Sequence, residues 1–209
     1  MPHELERRYL FNRHEIRMEP TDDESPGTIE GYAAVFYRDN DPKTEFELWE
    51  GRIMERIDPA AFADLARDDV RCLFDHDSAK ILGRSAANTL ELDVDSVGLH
   101  YRCTLPNTTA GRDVAESIRR GDISGSSFQF DVLEQEWTER DGEPTIRTLK
   151  KLKLYDVGPV TFPAYEATTT GVRSDRAAAE LEQVVAARQA AARRQRRRRI
   201  LCAAQRPRH

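Results

Sequence analysis

The sequence has few cysteines and no long apolar run. Cys72, Cys103 and Cys202 are an odd number at wide spacing, with no CxxC motif and no Cys/His pairing suited to a tetrahedral metal site. We therefore interpret them as reduced thiols and expect neither a metal nor a cofactor.

The longest apolar run, Tyr32–Tyr37, falls far below the roughly 20 residues that a membrane span needs. The N-terminal residues also lack the apolar stretch of a signal peptide. We expect no membrane association and a protein that works in the cytoplasm or in a particle assembled there.

A net charge of −5 conceals two segments of opposite sign. From Arg188 onward the sequence has nine arginines and no Asp or Glu, which leaves 23 basic against 37 acidic residues before that point. The body of the chain therefore carries a charge near −14 and the C-terminal tail one near +9. Such an asymmetry suggests that the tail meets an acidic surface.

A chain of 209 residues is long enough for one hydrophobic core and too short for two ordinary domains with linkers. Residues 1–27 are polar and end in TDDESPG, which predicts a mobile arm or a turn-rich segment outside the core. Residues 28–173 contain the periodic apolar segments and are interpreted as the folded domain. Residues 174–209 are rich in Ala, Arg, Glu and Gln, which predicts a helix that begins at Ser174 or Asp175 and ends in a solvated basic tail.

The periodicity of the domain predicts many strands and two internal helices. DPAAFADLARDD predicts a short helix capped by Asp58, and GRDVAESIRR predicts a second helix capped by Thr108 or Thr109. Apolar runs and period-two alternation predict strands at residues 28–36, 46–53, 70–74, 99–105, 123–132 and 145–160. This combination predicts an α+β fold, with a closed or nearly closed antiparallel β-barrel flanked by helices.

His76 differs from the other four histidines in its position. It follows the strand predicted at 70–74, which is apolar on both faces and therefore buried, whereas the others lie in the tails or, for His100, on the polar face of a strand. In a serine protease, an imidazole is held at a fixed position within hydrogen-bond reach of the hydroxyl of the nucleophilic serine. Taken alone, however, such a histidine is more often structural, and the flanking Asp75 and Asp77 are equally compatible with a solvated acidic turn.

Candidate nucleophiles lie in the small-residue run SGSS, directly before two phenylalanines. Period-two geometry places Phe128 and Phe130 on one face of the predicted strand and Ser127 on the other, so Ser127 should point away from the aromatic core. The same alternation places Ser126 with the phenylalanines, but a bulge at Gly125 would reverse the faces, so Ser126 is a rival nucleophile. A third interpretation is that SGSS merely allows close strand packing.

An acid is needed as a third group, to fix the tautomer of the imidazole and to stabilise its charged form. Asp156 lies where the last predicted strand passes into a Gly-Pro segment. An acid at this place is also compatible with a solvated strand end. The pattern alone leaves its role undecided.

Several motifs occur together and in a specific order: GYAAVF, ERIDPAAFA, LFDHD followed by ILGR, SVGLHYRCTLPNT, GDISGSSFQF and LYDVGPVTFPAY. Through this combination, from about Thr28 to Ser174, the sequence resembles the prohead (capsid maturation) protease family of tailed phages. That family is distantly similar to the herpesvirus assembly proteases. The resemblance implies a herpesvirus-protease-like barrel wrapped by helices.

The resemblance also implies roles for individual residues. His76 matches the base and Ser127, directly before the aromatic residue of the S-F-x-F segment, matches the nucleophile. Asp156 occupies the place of the third member, where the family most often has Glu. Gln129 stands where relatives commonly have Gly.

The function implied is that of a serine endopeptidase that cuts scaffolding protein, major capsid protein and itself inside the assembling prohead, in the host cytoplasm. A homodimer is left open. The basic tail has three interpretations: docking onto acidic scaffold helices, contact with DNA, and a solvated appendage that is removed by self-cleavage. Two other functions remain as alternatives. One is a catalytically inactive scaffold or capsid-assembly factor, and the other is a nucleic-acid-binding module, which a body charge near −14 disfavours.

Overall fold

The computed structural model describes residues 5–10, 16–19, 25–41, 44–49, 51–139 and 142–162, and, near the C-terminus, 179, 181–187, 190 and 194. Within these residues, the strands and the first helix are β1 (Glu6–Leu10), β2 (Arg17–Glu19), β3 (Thr28–Val35), β4 (Phe46–Trp49), β5 (Ile53–Ile57), β6 (Arg71–Leu73), β7 (Ile81–Arg84), β8 (Leu90–Val94), β9 (Gly98–Thr104), α1 (Thr109–Arg119), β10 (Gly125–Thr138) and β11 (Thr145–Val160).

The strands form two sheets. The larger sheet has seven strands. Five of them follow the order β1-β10-β11-β5-β4, while β6 also pairs with β11, and β7 pairs with β6. The second sheet has four strands in the order β2-β3-β9-β8. Buried residues from both sheets, such as Ile29, Tyr101, Phe128 and Leu154, belong to one hydrophobic core. The sheets therefore cover each other's apolar faces.

The predicted closed or nearly closed antiparallel β-barrel is wrong. The described strands form two separate sheets, and the larger one is mixed, because both β5 and β6 pair with β11 in parallel. β11 is 16 residues long, with β10 along one edge and β5 and β6 in succession along the other. Alternation in a sequence tells which face of a strand is buried, but not which edges pair, so it could not reveal this arrangement.

The first predicted helix is also corrected. Residues 58–69 form two short 3-10 turns, Pro59–Phe62 and Leu65–Arg67. Asp58 caps the first turn as expected, since its carboxylate accepts from the N–H of Ala60 at 2.9 Å. The second prediction is confirmed, because α1 begins after Thr108, whose hydroxyl accepts from the N–H of Gly111.

The segment 46–53, predicted as one strand, is instead a strand, a turn and the first residue of the next strand. β4 and β5 pair in antiparallel fashion, and the turn between them contains Gly51 at φ 64°. Glycine adopts this left-handed conformation at little cost, and it interrupts the strand that the alternation predicted as continuous.

The N-terminal segment is not simply an arm outside the sheets. β1 pairs in antiparallel fashion with β10, and β2 pairs with β3. Near the other end, residues 181–187 are helical, and Leu181 and Val184 pack against a small cluster of Leu48, Ile53 and Trp137. The predicted helix start at Ser174 or Asp175 and most of the arginine-rich tail lie outside the described residues.

Candidate active site

His76 lies in the loop between β6 and β7, immediately beyond the end of a buried strand. Asp75 and His76 both have positive φ, 53° and 56°, a conformation that Asp and His adopt more readily than bulkier residues. The Asp75 carboxylate accepts from the N–H of Thr161 at 2.7 Å and from its hydroxyl at 2.8 Å. The N–H of Asp75 donates to the carbonyl of Pro159 at 3.1 Å. These bonds fix the His76 loop to the end of β11.

Ser127 lies on β10, between Tyr9 of β1 and Gly158 of β11. Its side chain is on the face opposite to Phe128 and Phe130, which are fully buried in the core. Gly158 permits close approach of the strand before the His76 loop, because a Cβ at this position would lie 2.1 Å from the carbonyl oxygen of Leu73. The glycine thus lets β6 bring His76 beside β10.

Asp156 lies two residues before Gly158 on β11, and therefore on the same face as Ser127. The His76 ring bridges the two side chains. Its Nδ1 lies 2.5 Å from Oδ1 of Asp156, and its Nε2 lies 2.6 Å from Oγ of Ser127. Three residues separated by up to 80 positions in the sequence are thus joined by hydrogen bonds.

The environment of these side chains fixes how protons are shared. The side chains of His76 and Asp156 are 4% and 5% exposed, and Ser127 is fully buried. A carboxylate is an acceptor only, so the hydrogen between Asp156 and His76 is carried by Nδ1. In the neutral imidazole this leaves Nε2 as an acceptor facing the Ser127 hydroxyl. Such an arrangement can withdraw the hydroxyl proton and generate a nucleophile.

Ser126 lies on the opposite face of the same strand. Its hydroxyl shares a hydrogen bond of 2.9 Å with the Tyr101 hydroxyl, and it is 1% exposed. Burial raises the pKa of Tyr101 above its usual value. No bulge occurs between Gly125 and Gln129, since the pairing with β11 stays in register there. The rival serine therefore faces the core, away from His76.

That the N-terminal segment reaches this site was not predicted from the sequence. The carbonyl oxygen of Arg8 accepts from Ser127 Oγ at 2.9 Å, and the Tyr9 ring stands edge-on to the His76 ring at a centroid distance of 6.0 Å. The alternation of Glu6, Arg8 and Leu10 is the only signal for β1, and two of these residues are charged. Charged residues facing inward conceal a strand from hydrophobic periodicity.

Among the described residues, no group of three or more His, Cys, Asp or Glu side chains could hold a metal ion. Over the same part of the chain, no helix has the length and apolar character needed to cross a membrane.

A serine hydroxyl, an imidazole and a carboxylate in this order are the arrangement of a serine hydrolase. Residues 13–183 match the family described as Caudovirus prohead serine protease. The chain belongs to this family, and it is a serine peptidase that acts in capsid maturation. Its substrates belong in general to the capsid and scaffold proteins, and it acts inside the assembling capsid in the host.

One solved structure that the comparison matches to this chain is that of the bacteriophage T4 capsid assembly protease, gp21. The two chains are 14% identical and have a TM-score of 0.46, and the match covers 75% of this chain and 96% of that one. No curated protein matches the sequence.

Proposed function

We propose that Ser127 is the nucleophile of this endopeptidase, that His76 is its general base, and that Asp156 orients and stabilises the imidazole. The observation that carries the proposal is the pair of hydrogen bonds made by one ring, from Nδ1 to Asp156 at 2.5 Å and from Nε2 to Ser127 at 2.6 Å. The distance between Nε2 and Ser127 Oγ is within the reach required for proton transfer, and the bond from Nδ1 to Asp156 fixes the tautomer that leaves Nε2 free to accept the proton.

In the proposed reaction, Ser127 Oγ attacks the carbonyl carbon of a substrate peptide bond while its proton passes to His76 Nε2. Asp156 stabilises the resulting imidazolium. The imidazolium then gives the proton to the leaving amine as the carbon–nitrogen bond breaks, and an ester to Ser127 remains. Water, activated by His76, hydrolyses the ester and restores the free hydroxyl.

The finer identity of the substrates and partners is also part of the proposal. We assign the scaffolding protein, the N-terminal portion of the major capsid protein and the protease itself as substrates, within the host cytoplasm. The nine arginines from Arg188 onward support docking of the tail onto acidic scaffold segments. Because residues 163–178 and most later residues lie outside the described part of the chain, charge alone supports this docking. A homodimer remains a separate hypothesis, which the mass of the purified chain in solution tests.

Co-expression of the chain with its capsid protein tests the catalytic roles. We expect a shortened capsid protein with the wild type and with Ser126→Ala, and a full-length capsid protein with Ser127→Ala and His76→Ala. Circular dichroism of each purified variant provides the control for folding. Processing that persists in Ser127→Ala would contradict the assignment, and its loss in Ser126→Ala alone would move the nucleophile by one position.

A further inference from the structure

β1 covers the edge of β10 that carries Ser127. The two strands pair with Tyr9 opposite Ser127 and Arg8 opposite Phe128. On its other edge β10 pairs with β11 from Gly125 to Thr138. An extended peptide that reaches Ser127 along the sheet must therefore lie where β1 lies.

A direct bond joins β1 to the proposed nucleophile. Ser127 Oγ lies 2.9 Å from the carbonyl oxygen of Arg8 and 2.6 Å from Nε2 of His76. A hydroxyl has one hydrogen to donate, so it cannot satisfy both acceptors at once. Whenever the hydrogen is given to Arg8, it is withheld from the base. β1 thus competes with the step that activates the serine.

β1 also contributes to closing the site. Ser127 is fully buried, and the Tyr9 ring contacts the His76 ring from the same side. A substrate carbonyl therefore has no route to the hydroxyl while β1 is paired. The family match begins at residue 13, so β1 lies outside the matched residues.

The side chain of Arg8 enters a buried charged site on the core face of the sheet. Its Nε and one terminal nitrogen donate to the two carboxylate oxygens of Glu55, which is fully buried. A third bond from Arg8, 2.6 Å long, goes to Glu6 on β1 itself. Glu55 also accepts from Arg147 at 2.8 Å. The part of this site that does not belong to β1 is therefore a Glu55 carboxylate, held in place by Arg147.

We propose that the edge of β10 beside Ser127 is the substrate-binding surface of the protease, that it takes an extended segment with arginine on the acyl side of the cut, and that β1 occupies it as an internal competitor. The inference rests on the proposed role of Ser127. Peptides commonly bind by adding a strand to a sheet edge, with backbone bonds for affinity and side-chain sites for specificity.

Arginine is the residue that this site selects. A guanidinium matches a carboxylate through two parallel N–H bonds, whereas lysine offers a single point charge. The Arg8–Glu55 contact has this two-bond form. A glutamate at the same substrate position would place two carboxylates together in a buried site, which is strongly unfavourable.

The full-length variants Arg8→Glu and Arg7→Glu test the role of β1, because they make the same charge change on opposite faces of the strand. Arg7 is exposed, whereas Arg8 is 3% exposed beside Glu55. A fluorophosphonate probe reports access, since Ser127 Oγ displaces fluoride from its phosphorus while His76 takes the proton. We expect Arg8→Glu to be labelled at least about tenfold faster than the wild type, and Arg7→Glu to stay within about twofold of it.

A reversible lock provides a second variant, which does not depend on tolerance of a buried glutamate. Arg7 and Gln129 are direct partners across β1 and β10. In Arg7→Cys/Gln129→Cys we expect oxidation to suppress labelling and dithiothreitol to restore it. Equal labelling of the wild type, Arg7→Glu and Arg8→Glu, or an oxidised form that is labelled as fast as the reduced form, would overturn the proposal for β1. Absence of labelling in every form would instead overturn Ser127 as the nucleophile.

Synthetic peptides test the arginine site without changing the protein. The peptide HELERRYLFN, residues 3–12 of this chain, is offered to the Arg8→Glu protein, and again with Glu in place of Arg at position 8 or at position 7. We expect cleavage after the arginine of position 8, a fall in kcat/KM of more than about tenfold for the position-8 change, and less than about threefold for the position-7 change. Equal effects of the two changes would overturn selection of arginine by Glu55.

Discussion

Ser126 and Ser127 are adjacent in the sequence and lie on opposite faces of β10. Ser126 is bonded to the Tyr101 hydroxyl within the core, whereas Ser127 is bonded to the ring of His76. The alternation of side chains along a strand is the physical cause of this division. Two chemically identical groups therefore have different partners, a phenol hydroxyl for Ser126 and an imidazole for Ser127.

The core serine should matter for stability rather than for catalysis. Ser126→Ala leaves the buried Tyr101 hydroxyl without its partner, at a cost of about 1–3 kcal/mol. We expect a lower free energy of unfolding in urea, while kcat for a cleaved peptide stays close to the wild-type value. Tyr101→Phe should cost a similar amount, and the double variant should cost less than the sum, because it removes both polar groups. Loss of activity in well-folded Ser126→Ala would contradict this division of roles.

Asp156 should be needed for catalysis but not for folding. Asp156→Asn places an amide beside Nδ1, which favours the wrong imidazole tautomer, so kcat should fall by about 10³–10⁴-fold. The melting temperature should change little by comparison. Asp156→Glu is the matched variant, because it keeps the carboxylate and alters only its reach, and it should retain more activity than Asp156→Asn. Equal losses in the two variants would indicate that the carboxylate has no specific role at this position.

The Asp75 carboxylate should act by positioning the base. It holds the His76 loop through two bonds to Thr161, whereas Asp77, on the other side of His76, bonds to the N–H of Ala79 within the loop. We expect Asp75→Ala to lower kcat by about 10–100-fold with little change in KM, since misplacement of a catalytic group slows the chemical step. Asp77→Ala should have a smaller effect on kcat. Steady-state kinetics of both variants on one peptide distinguish these outcomes.

The local geometry of the site could be predicted better than the fold. Period-two alternation placed Ser127 and Ser126 on their observed faces, and the end of an apolar strand pointed to His76. These are properties of a single strand, and a sequence encodes them directly. The role of Asp156 was undecided from pattern alone, because its meeting with His76 depends on the pairing of β11 with both β10 and β6.

Which strands pair with each other was harder to predict from the sequence. The barrel prediction failed because β5 and β6 pair in parallel with one long strand, an arrangement set by contacts between distant residues. β1 was missed because Glu6 and Arg8 face inward. Their burial is tolerated only because Glu55 and Arg147, more than 40 residues away, neutralise them. A local sequence pattern does not show that distant residues will neutralise these buried charges.

The buried charges beneath β1 should make its attachment sensitive to acid. Burial of Glu6 raises its pKa, but hydrogen bonds and charges from Arg147 and Arg8 outweigh this effect and lower the pKa from 4.5 to about 2. Since the folded pKa lies below the unfolded one, Glu6 stabilises the fold fully above pH 4.5, and this contribution is lost as the pH falls towards 2.

Glu6→Gln isolates this contribution, because it removes the titrating group but keeps a side chain of the same size. At pH 7 we expect the variant to be less stable by about 2 kcal/mol, since the bonds to two arginines lose their charge. As the pH falls from 4.5 towards 2, the wild type should lose more stability than the variant, and the two urea midpoints should converge. A gap that stays constant over this pH range would mean that the Glu6 carboxylate does not form its ion pairs with Arg8 and Arg147, and that another force holds β1 on the edge of β10.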